Sequence, residues 1–595
     1  DTGTITGTTP AAGMYPVEVT ATNASGTAKA TYTIAASTTY ALTPPMGWNS
    51  YDSFGASVNE TEFLAAAQAQ KTLLAPYGWN TAVIDYLWYD NEQTIDANGR
   101  WMPSATKWPS SAGGKGLKPI ADKIHAMGLS FGIHIMRGIP RKAFTANSPI
   151  ANSTSKAQDA GNSSDTCPWD SHNYGVRGDM PAGQAWYDSI FAQYATWDLD
   201  FVKVDDMVSG TNYHQSEVNA IRAAIDKTGR SIVLSLSPGP MQTRDTANLN
   251  MNANMWRTVN DFWDTSGLSN LNDVFTAARN WQMQTLIPGH WPDCDMLPLG
   301  YIGPRPPVGG GARMSALSHA EQVQVMTLWG IMPSPLMLGG NPSKLSGDTW
   351  TIALLTNPEV LAINQDVSGS HAKQISMTNS AQVWSRSLSG GRVAVALINR
   401  AATDATVSAT FAQLGVTGTP AVRDVWQRKD VTGMTTGVSA SVTGNSGALF
   451  LLTPAGSGTG GSGGGGSSGT GGRGPDGGAP DGAASGGSSA GGGGVAATGG
   501  GGATGGRASG GTTATGGGNP AGGNATGGSA SGGASNGAGG TGGGAPGSGG
   551  LGVKPPTSGD SGCSLEGGAE PLGLTAAAVS LLIARLRRRR STEQR

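Results

Sequence analysis

Hydrophobic and polar positions divide this chain into four regimes. From Tyr15 to Ala35 the alternation has period two, in Pro16-Val-Glu-Val-Thr-Ala and Ala28-Lys-Ala-Thr-Tyr-Thr-Ile, with Asn23-Ala-Ser-Gly as the turn. That predicts two strands, too few to stand alone, so residues 1–38 read as the end of a truncated β module. From Ala41 to Asp366 short apolar runs alternate with amphipathic stretches. The runs are Thr81-Ala-Val-Ile-Asp, Phe131-Gly-Ile-His-Ile, Phe201-Val-Lys-Val-Asp, Ile232-Val-Leu-Ser-Leu and Leu286-Ile-Pro-Gly-His-Trp. Helices are predicted at Glu60 to Leu74, Gly116 to Met127, Ala182 to Trp197 and Ser216 to Lys227. Near-continuous apolar strands separated by helices indicate a parallel sheet covered on both faces. About eight such repeats over residues 41–366 favour a closed (β/α)₈ TIM barrel over an open sheet.

After Asp366 the helical period stops. Ala381-Gln-Val-Trp-Ser-Arg, Arg392-Val-Ala-Val-Ala-Leu-Ile, Thr406-Val-Ser-Ala-Thr-Phe, Val422-Arg-Asp-Val-Trp and Gly447-Ala-Leu-Phe-Leu-Leu read as strands. Residues 367–454 are therefore expected to form an antiparallel β-sandwich that caps the barrel. The expected fold class is α/β, a barrel followed by a sandwich.

Composition changes the picture only at the far end. Many of the 94 glycines fall in residues 455–560, in runs such as Gly463 to Gly466, with Ser, Ala and Thr and almost no large apolar side chain. Such a stretch buries too little surface to offset its ordering entropy, and reads as a linker. In residues 561–595 an apolar run from Pro571 to Ala584 ends in Arg585 and Arg587 to Arg590, the pattern of a membrane stop. With Gly562-Cys563 it resembles the C-terminal sorting tags of myxobacterial surface proteins. That resemblance implies secretion and cell-surface attachment, with Cys563 as the processed or lipidated residue. Membrane contact is expected through this tag alone.

The net charge of −2, with no charged block before the C-terminus, points away from nucleic acid and suits a neutral partner. Many of the 16 tryptophans sit beside Gly, Asn and Asp, where aromatic faces can stack on sugar rings. Three cysteines make no disulfide framework, and Cys167 and Cys294 could pair or stay free. The chain opens at Asp1 with neither Met nor a leader, which reads as a fragment of a longer protein.

In barrel enzymes the reacting groups sit at the C-terminal ends of strands. Those ends carry Asp85, His134, Asp205 with Asp206, Ser235, Ser237, Asp261, and Asp293 with Asp295. One His and no Cys among carboxylates is not a zinc pattern, and no metal or cofactor is expected. The set fits glycosidic cleavage, which needs one carboxylate nucleophile and one carboxylic acid. Any single Asp could equally be a helix N-cap. Adjacent strand residues point to opposite faces, so only one of Asp205 and Asp206 can face the barrel mouth, and alternation alone does not say which.

Four ordered motifs carry a resemblance: Pro44-Pro-Met-Gly-Trp-Asn-Ser-Tyr-Asp-Ser-Phe, Asp200-Phe-Val-Lys-Val-Asp-Asp, Trp256-Arg-Thr-Val-Asn-Asp and Gly289-His-Trp-Pro-Asp-Cys-Asp-Met-Leu. From about Leu42 to Pro454 the chain resembles glycoside hydrolase family 27, the α-galactosidase or melibiase family, and its bacterial branch in particular. The resemblance implies Asp205 as nucleophile and Asp261 as acid/base in a retaining mechanism on oligo- or polysaccharides, with carboxyl groups roughly 5–5.5 Å apart. Asp261 should then be kept in its acid form by burial or neighbouring charge. It further implies Trp48 and Trp291 as walls of the site and Lys203 and Arg257 on sugar hydroxyls. Asp85 would hold the 4- and 6-hydroxyls, Asp295 would support them, and His134 and Arg137 would lie beside the sugar with Arg141. Two departures bear on the sugar. Tyr86 stands where members commonly carry a second acid, and His134 where many carry Tyr. The leading expectation is a terminal α-D-galactosidase. The alternatives are a β-L-arabinopyranosidase, an α-N-acetylgalactosaminidase, an α-glucan-acting enzyme, or a non-catalytic surface carbohydrate-binding protein.

Overall fold

The computed structural model describes residues 13–23, 26–36, 41–89, 94–209, 212–366 and 370–455. The linker, the tag and Cys563 lie outside the described residues. Gly13–Asn23 and Gly26–Ala36 pair as an antiparallel hairpin closed at Asn23 and Gly26.

Eight parallel strands then follow one another around a barrel: β1 (Met46–Asn49), β2 (Thr81–Ile84), β3 (Ser130–Met136), β4 (Phe201–Asp205), β5 (Val233–Leu236), β6 (Met255–Arg257), β7 (Trp291–Asp293) and β8 (Leu336–Leu338). They pair in chain order, and β8 returns to β1. The gap between β7 and β8 is bridged just past β7, where the Leu297 N–H donates to the Met337 carbonyl (2.8 Å) and the Gly339 N–H to the Leu297 carbonyl (2.9 Å). The helices at Glu60–Leu73, Lys118–Ala126, Pro181–Thr196 and Gln215–Lys227 lie within two residues of the sequence expectation. The first starts at a capping box of Asn59 and Glu62, which satisfies two orphan amide groups reciprocally.

Alternation along each strand decides what the barrel does. Val202 and Val204 of β4 pack outward into the main core, as do Ala82 and Ile84 of β2. The inward positions begin apolar: Val83, Phe201, Val233, Met255, Trp291 and Met337 form a separate cluster within the barrel. One step on toward the C-terminal ends, Lys203, Ser235, Arg257 and Asp293 line a small void of about 20 Å³. Apolar floor and polar mouth thus come from the same face of the same strands.

The sandwich is fused to this barrel. Strands β9 (Lys373–Thr378), β10 (Ala381–Ser387), β11 (Val393–Asn399), β12 (Ala405–Thr410), β13 (Ala421–Asp424), β14 (Lys429–Val431), β15 (Gly437–Val442) and β16 (Ser446–Thr453) form a six-stranded sheet, β9-β10-β11-β16-β13-β14, and a β12-β15 pair. Val395, Leu397, Phe450 and Leu452 face the pair and make the sandwich core. Their neighbours Ala396, Ile398 and Leu449 turn the other way, into the core of the barrel. The helix His319–Ile331 seals that junction, since the Gln324 amide donates to the carbonyls of Asn399 (3.0 Å) and Ser446 (3.2 Å). Among the described residues no helix is long and apolar enough to cross a membrane. Cys167 and Cys294 are free thiols.

Candidate active site

A cavity of about 400 Å³ opens at the C-terminal ends of the strands. Asp85, Lys203, Asp205, Arg257, Asp261 and Asp295 all line it, so the structure brings together six of the residues singled out from the sequence.

Asp205 ends β4 on the face of Phe201 and Lys203. Burial pushes its carboxyl toward the acid form. The His134 Nε2–H, 3.1 Å from Oδ2, the Lys203 charge and the Asp206 N–H on Oδ1 (3.1 Å) overcome this and hold it well below the usual carboxylate range. Asp206 takes a left-handed φ of 62° and turns behind the strand. There its carboxylate meets Arg137 Nη2 at 2.9 Å and its carbonyl accepts from Arg137 Nε at 2.7 Å. The backbone thus separates the two aspartates that alternation left open.

Lys203 lies between two carboxylates. Burial lowers its pKa, but Asp85 and Asp205 more than reverse this, and the ammonium donates to Asp85 Oδ2 at 3.0 Å. Asp85 also accepts from the Asn49 amide at 2.6 Å, and it stays below its usual pKa although fully buried.

Arg257 organises the opposite wall. Nη1 pairs with Asp295 at 2.8 Å and Nη2 with Asp261 at 3.2 Å. Asp295 is buried and pushed up to about 7, by burial first and by the charges of Asp261 and Asp293, with Arg257 opposing. Asp261 departs from expectation. Instead of being buried, its side chain is 59% exposed, because it stands on the loop beyond β6 with Arg257 beneath it.

Three expectations need correction. Trp48 is fully buried and packs outward on Phe54 and Phe63, because the inward position beside it belongs to Asn49. Trp291 is also fully buried, within the barrel below the site, with its indole N–H on the Ala41 carbonyl (2.8 Å). Arg137 does not line the cavity; it is 2% exposed and bonded to Asp165, Asp206 and Glu217. His134 is buried behind Asp205 and packs edge-on against Tyr86, so it meets the cavity through these two residues without lining it. Arg141 lies over the Tyr174 ring, 4.6 Å from its centroid.

The aromatic walls are instead Tyr51, Tyr86, Trp169 and Trp263. Tyr86 donates its hydroxyl to Asp170 and stacks on His172. Trp263 follows Asp261 by two residues on the same loop, a cue the sequence did offer. Asp52, inside the first motif, was also missed. It is buried on the cavity wall, its Oδ2 has no partner among the described residues, and burial with Asp295 nearby pushes its carboxyl well above the usual range.

Among the described residues one His/Asp/Glu group is close enough to share an ion: Asp165, His214 and Glu217. The Arg137 guanidinium already bonds both of those carboxylates, at 2.7 and 2.8 Å.

Residues 172–366 match the family profile "Alpha galactosidase A", and residues 378–452 match "Alpha galactosidase C-terminal beta sandwich domain". A rice α-galactosidase (Oryza sativa subsp. japonica) is 29% identical over 419 residues, 69% of this chain and 85% of its own length. The solved β-L-arabinopyranosidase of Geobacillus stearothermophilus is 41% identical, with a TM-score of 0.67, over 70% of this chain and 98% of that one. A putative α-N-acetylgalactosaminidase of Bacillus halodurans is 37% identical, with a TM-score of 0.62, over 69% of this chain and 97% of that one. With barrel, sandwich and a carboxylate-lined cavity in agreement with these matches, the chain belongs to glycoside hydrolase family 27.

Proposed function

We propose that this glycoside hydrolase removes terminal α-D-galactosyl residues from oligo- or polysaccharides with retention of configuration. The observation that carries this reading is one cavity holding two unlike carboxyl groups. Asp205 is kept ionised by His134 and Lys203, while Asp261 stands on a loop open to an incoming leaving group. Asp205 attacks the anomeric carbon as the C1–O bond breaks, and Asp261 in its acid form gives its proton to the departing oxygen. Asp261 then takes a proton from water, which attacks C1 and releases Asp205. Asp85, held by Lys203 and Asn49, presents a fixed acceptor to ring hydroxyls.

Tyr86 favours a second reading, action on β-L-arabinopyranosides, which keep the ring stereochemistry of α-galactosides and lack the hydroxymethyl group. Where family members commonly place a second acid, this chain has a phenol whose hydroxyl is spent on Asp170. The Geobacillus relative carries that activity in its name.

The test is a panel of p-nitrophenyl α-galactoside, β-L-arabinopyranoside, α-N-acetylgalactosaminide and α-glucoside. The α-galactoside or the β-L-arabinopyranoside should be the best substrate; cleavage of none would defeat the proposal. Asp205→Gly and Asp261→Gly should each lose at least about 10³-fold in turnover. With azide, the Asp205 variant should give an inverted glycosyl azide and the Asp261 variant a retained one; the opposite pairing would exchange the roles. The same proposal extends to location: the protein is secreted, residues 455–560 form a stalk and residues 561–595, with Cys563, an attachment tag. Chains ending at Pro454 should keep their kinetics and lose attachment.

A further inference from the structure

A second cavity, of about 740 Å³, opens where the barrel meets the sandwich, and it shares no lining residue with the first. Its walls come from three distant parts of the chain. Tyr77 ends the turn Ala75–Tyr77 after the first long helix, and Trp350 lies on the helix Thr349–Leu355. Trp426, Gln427 and Arg428 form the turn between β13 and β14.

Both indoles are fixed by bonds directed away from solvent. The Trp350 N–H donates to Gln322 Oε1 at 2.9 Å, and its ring stacks on His319 at 3.9 Å and 17°. The Trp426 N–H donates to Thr327 Oγ1 at 2.9 Å. With their polar edges engaged, the two rings meet the cavity as rigid carbon surface, and Tyr77, 45% exposed, adds a third aromatic. Gln427 and Arg428 are exposed, and Arg428 has Glu359 3.8 Å away. Asp424 lines the same cavity, so its lining carries charges of both signs.

The volume is in the ~300–1,000 Å³ range of small-ligand sites, which favour domain seams. Preset aromatic faces bind with little ordering cost, and they match the C–H faces of a pyranose ring. Planar amide and guanidinium groups match its vicinal hydroxyls. Balanced charge selects a neutral ligand over an anionic one. We propose that this cavity is a non-catalytic binding site for a pyranose unit of the saccharide chain that the enzyme works on. For the identity of that chain the proposal rests on the glycosidase reading above. Holding a polymer at a second point raises the effective concentration of its chain ends without altering the chemistry of cleavage.

Affinity electrophoresis tests this with the full-length chain in the Asp205→Asn background, which stops turnover. Galactomannan and arabinogalactan are the probes in the gel. At least one should retard the protein, and adding Tyr77→Ala or Trp350→Ala should raise its dissociation constant fivefold or more. In the otherwise unaltered enzyme, these two substitutions should leave kcat/KM on the best aryl glycoside within twofold. Should Trp350→Ala fail to fold, Tyr77→Ala and Arg428→Ala, both at exposed positions, decide the matter. No retardation by either polymer, or unchanged retardation in the variants, overturns the proposal. Silence of the aryl glycosides would instead defeat the assignment of the catalytic sugar, and the gel would still report on this cavity.

Discussion

Replacing Arg137 by Met separates a residue that touches sugar from one that holds the site together. The guanidinium gives Nη1 to Glu217 at 2.8 Å, Nη2 to Asp165 at 2.7 Å and to Asp206 at 2.9 Å, and Nε to the Asp206 carbonyl at 2.7 Å. At 2% exposure it has no water to replace those partners, and removing one member of a buried ion pair costs about 3–5 kcal/mol. At about 2 °C per kcal/mol for a large domain, the melting temperature should fall by roughly 6–10 °C. Glu217 adds a pH signature. Burial, opposed by Arg137, puts its folded pKa at about 7, above the unfolded value, so the folded protein keeps this proton up to neutral pH. Without Arg137 the carboxyl titrates higher still. The deficit of the variant is therefore smallest near pH 5, where Glu217 is protonated with or without its partner. Above pH 7 it widens by up to about 1.4 kcal/mol per pH unit. Circular-dichroism melts at pH 5 and pH 8, with kinetics on an aryl glycoside, read both effects. KM should stay within threefold while kcat falls, because Asp206 loses the anchor that sets the peptide next to Asp205. A tenfold rise in KM with unchanged melting would refute this and put Arg137 on the sugar.

His134→Phe removes a charge-assisted hydrogen bond from Asp205, worth about 1.5–3 kcal/mol. The acid limb of kcat/KM should accordingly move up by about 1–2 pH units; a stationary limb would show that Lys203 alone keeps the carboxylate charged. Asp295 is pushed up to about 7, so its folded form retains a proton that the unfolded chain has lost, and its contribution to stability declines as pH rises from about 4 through 7. Asp295→Asn should therefore lose less melting temperature between pH 5 and pH 8 than the parent; parallel curves would contradict the shift. Trp48→Ala should cost about 3–5 kcal/mol of stability with KM unchanged, whereas Trp169→Ala, on the cavity wall and 51% exposed, should raise KM with little loss in melting temperature; the reverse pattern would restore Trp48 as a wall of the site.

The elements were legible because burial wrote them into the sequence. Runs such as Thr81-Ala-Val-Ile are buried at every position and carry no charge, since the helices cover one face and the barrel interior the other. That same double burial hid the orientation of each strand. In Phe201-Val-Lys-Val-Asp the period-two signal rested on Lys203 alone, so the choice between Asp205 and Asp206 came from resemblance, and only the φ of 62° at Asp206 gives it a physical cause. The short strands of the sandwich, Lys429–Val431 among them, offered too few positions for alternation to register.

Depth along the barrel axis was less legible than facing. Trp291 and Asp293 sit two residues apart on one strand and face the same interior, yet one lies in the apolar floor and the other in the polar layer above it. Alternation fixes the side of a strand on which a residue falls, not its height, because height depends on the stagger that closes the barrel. The expectation of Trp291 as a wall had the face right and the level wrong; for Trp48 the face itself was wrong. The residues that do form the walls escape both tests. Trp169 and Trp263 come from loops, where no period operates, and their distance from the reacting carboxylates is set by how far each loop folds back over the mouth. Loops carry the aromatic walls and Asp261, while Lys203 and Asp205 lie on a strand whose apolar run the sequence displays, so a sequence of this architecture discloses its reaction sooner than its sugar.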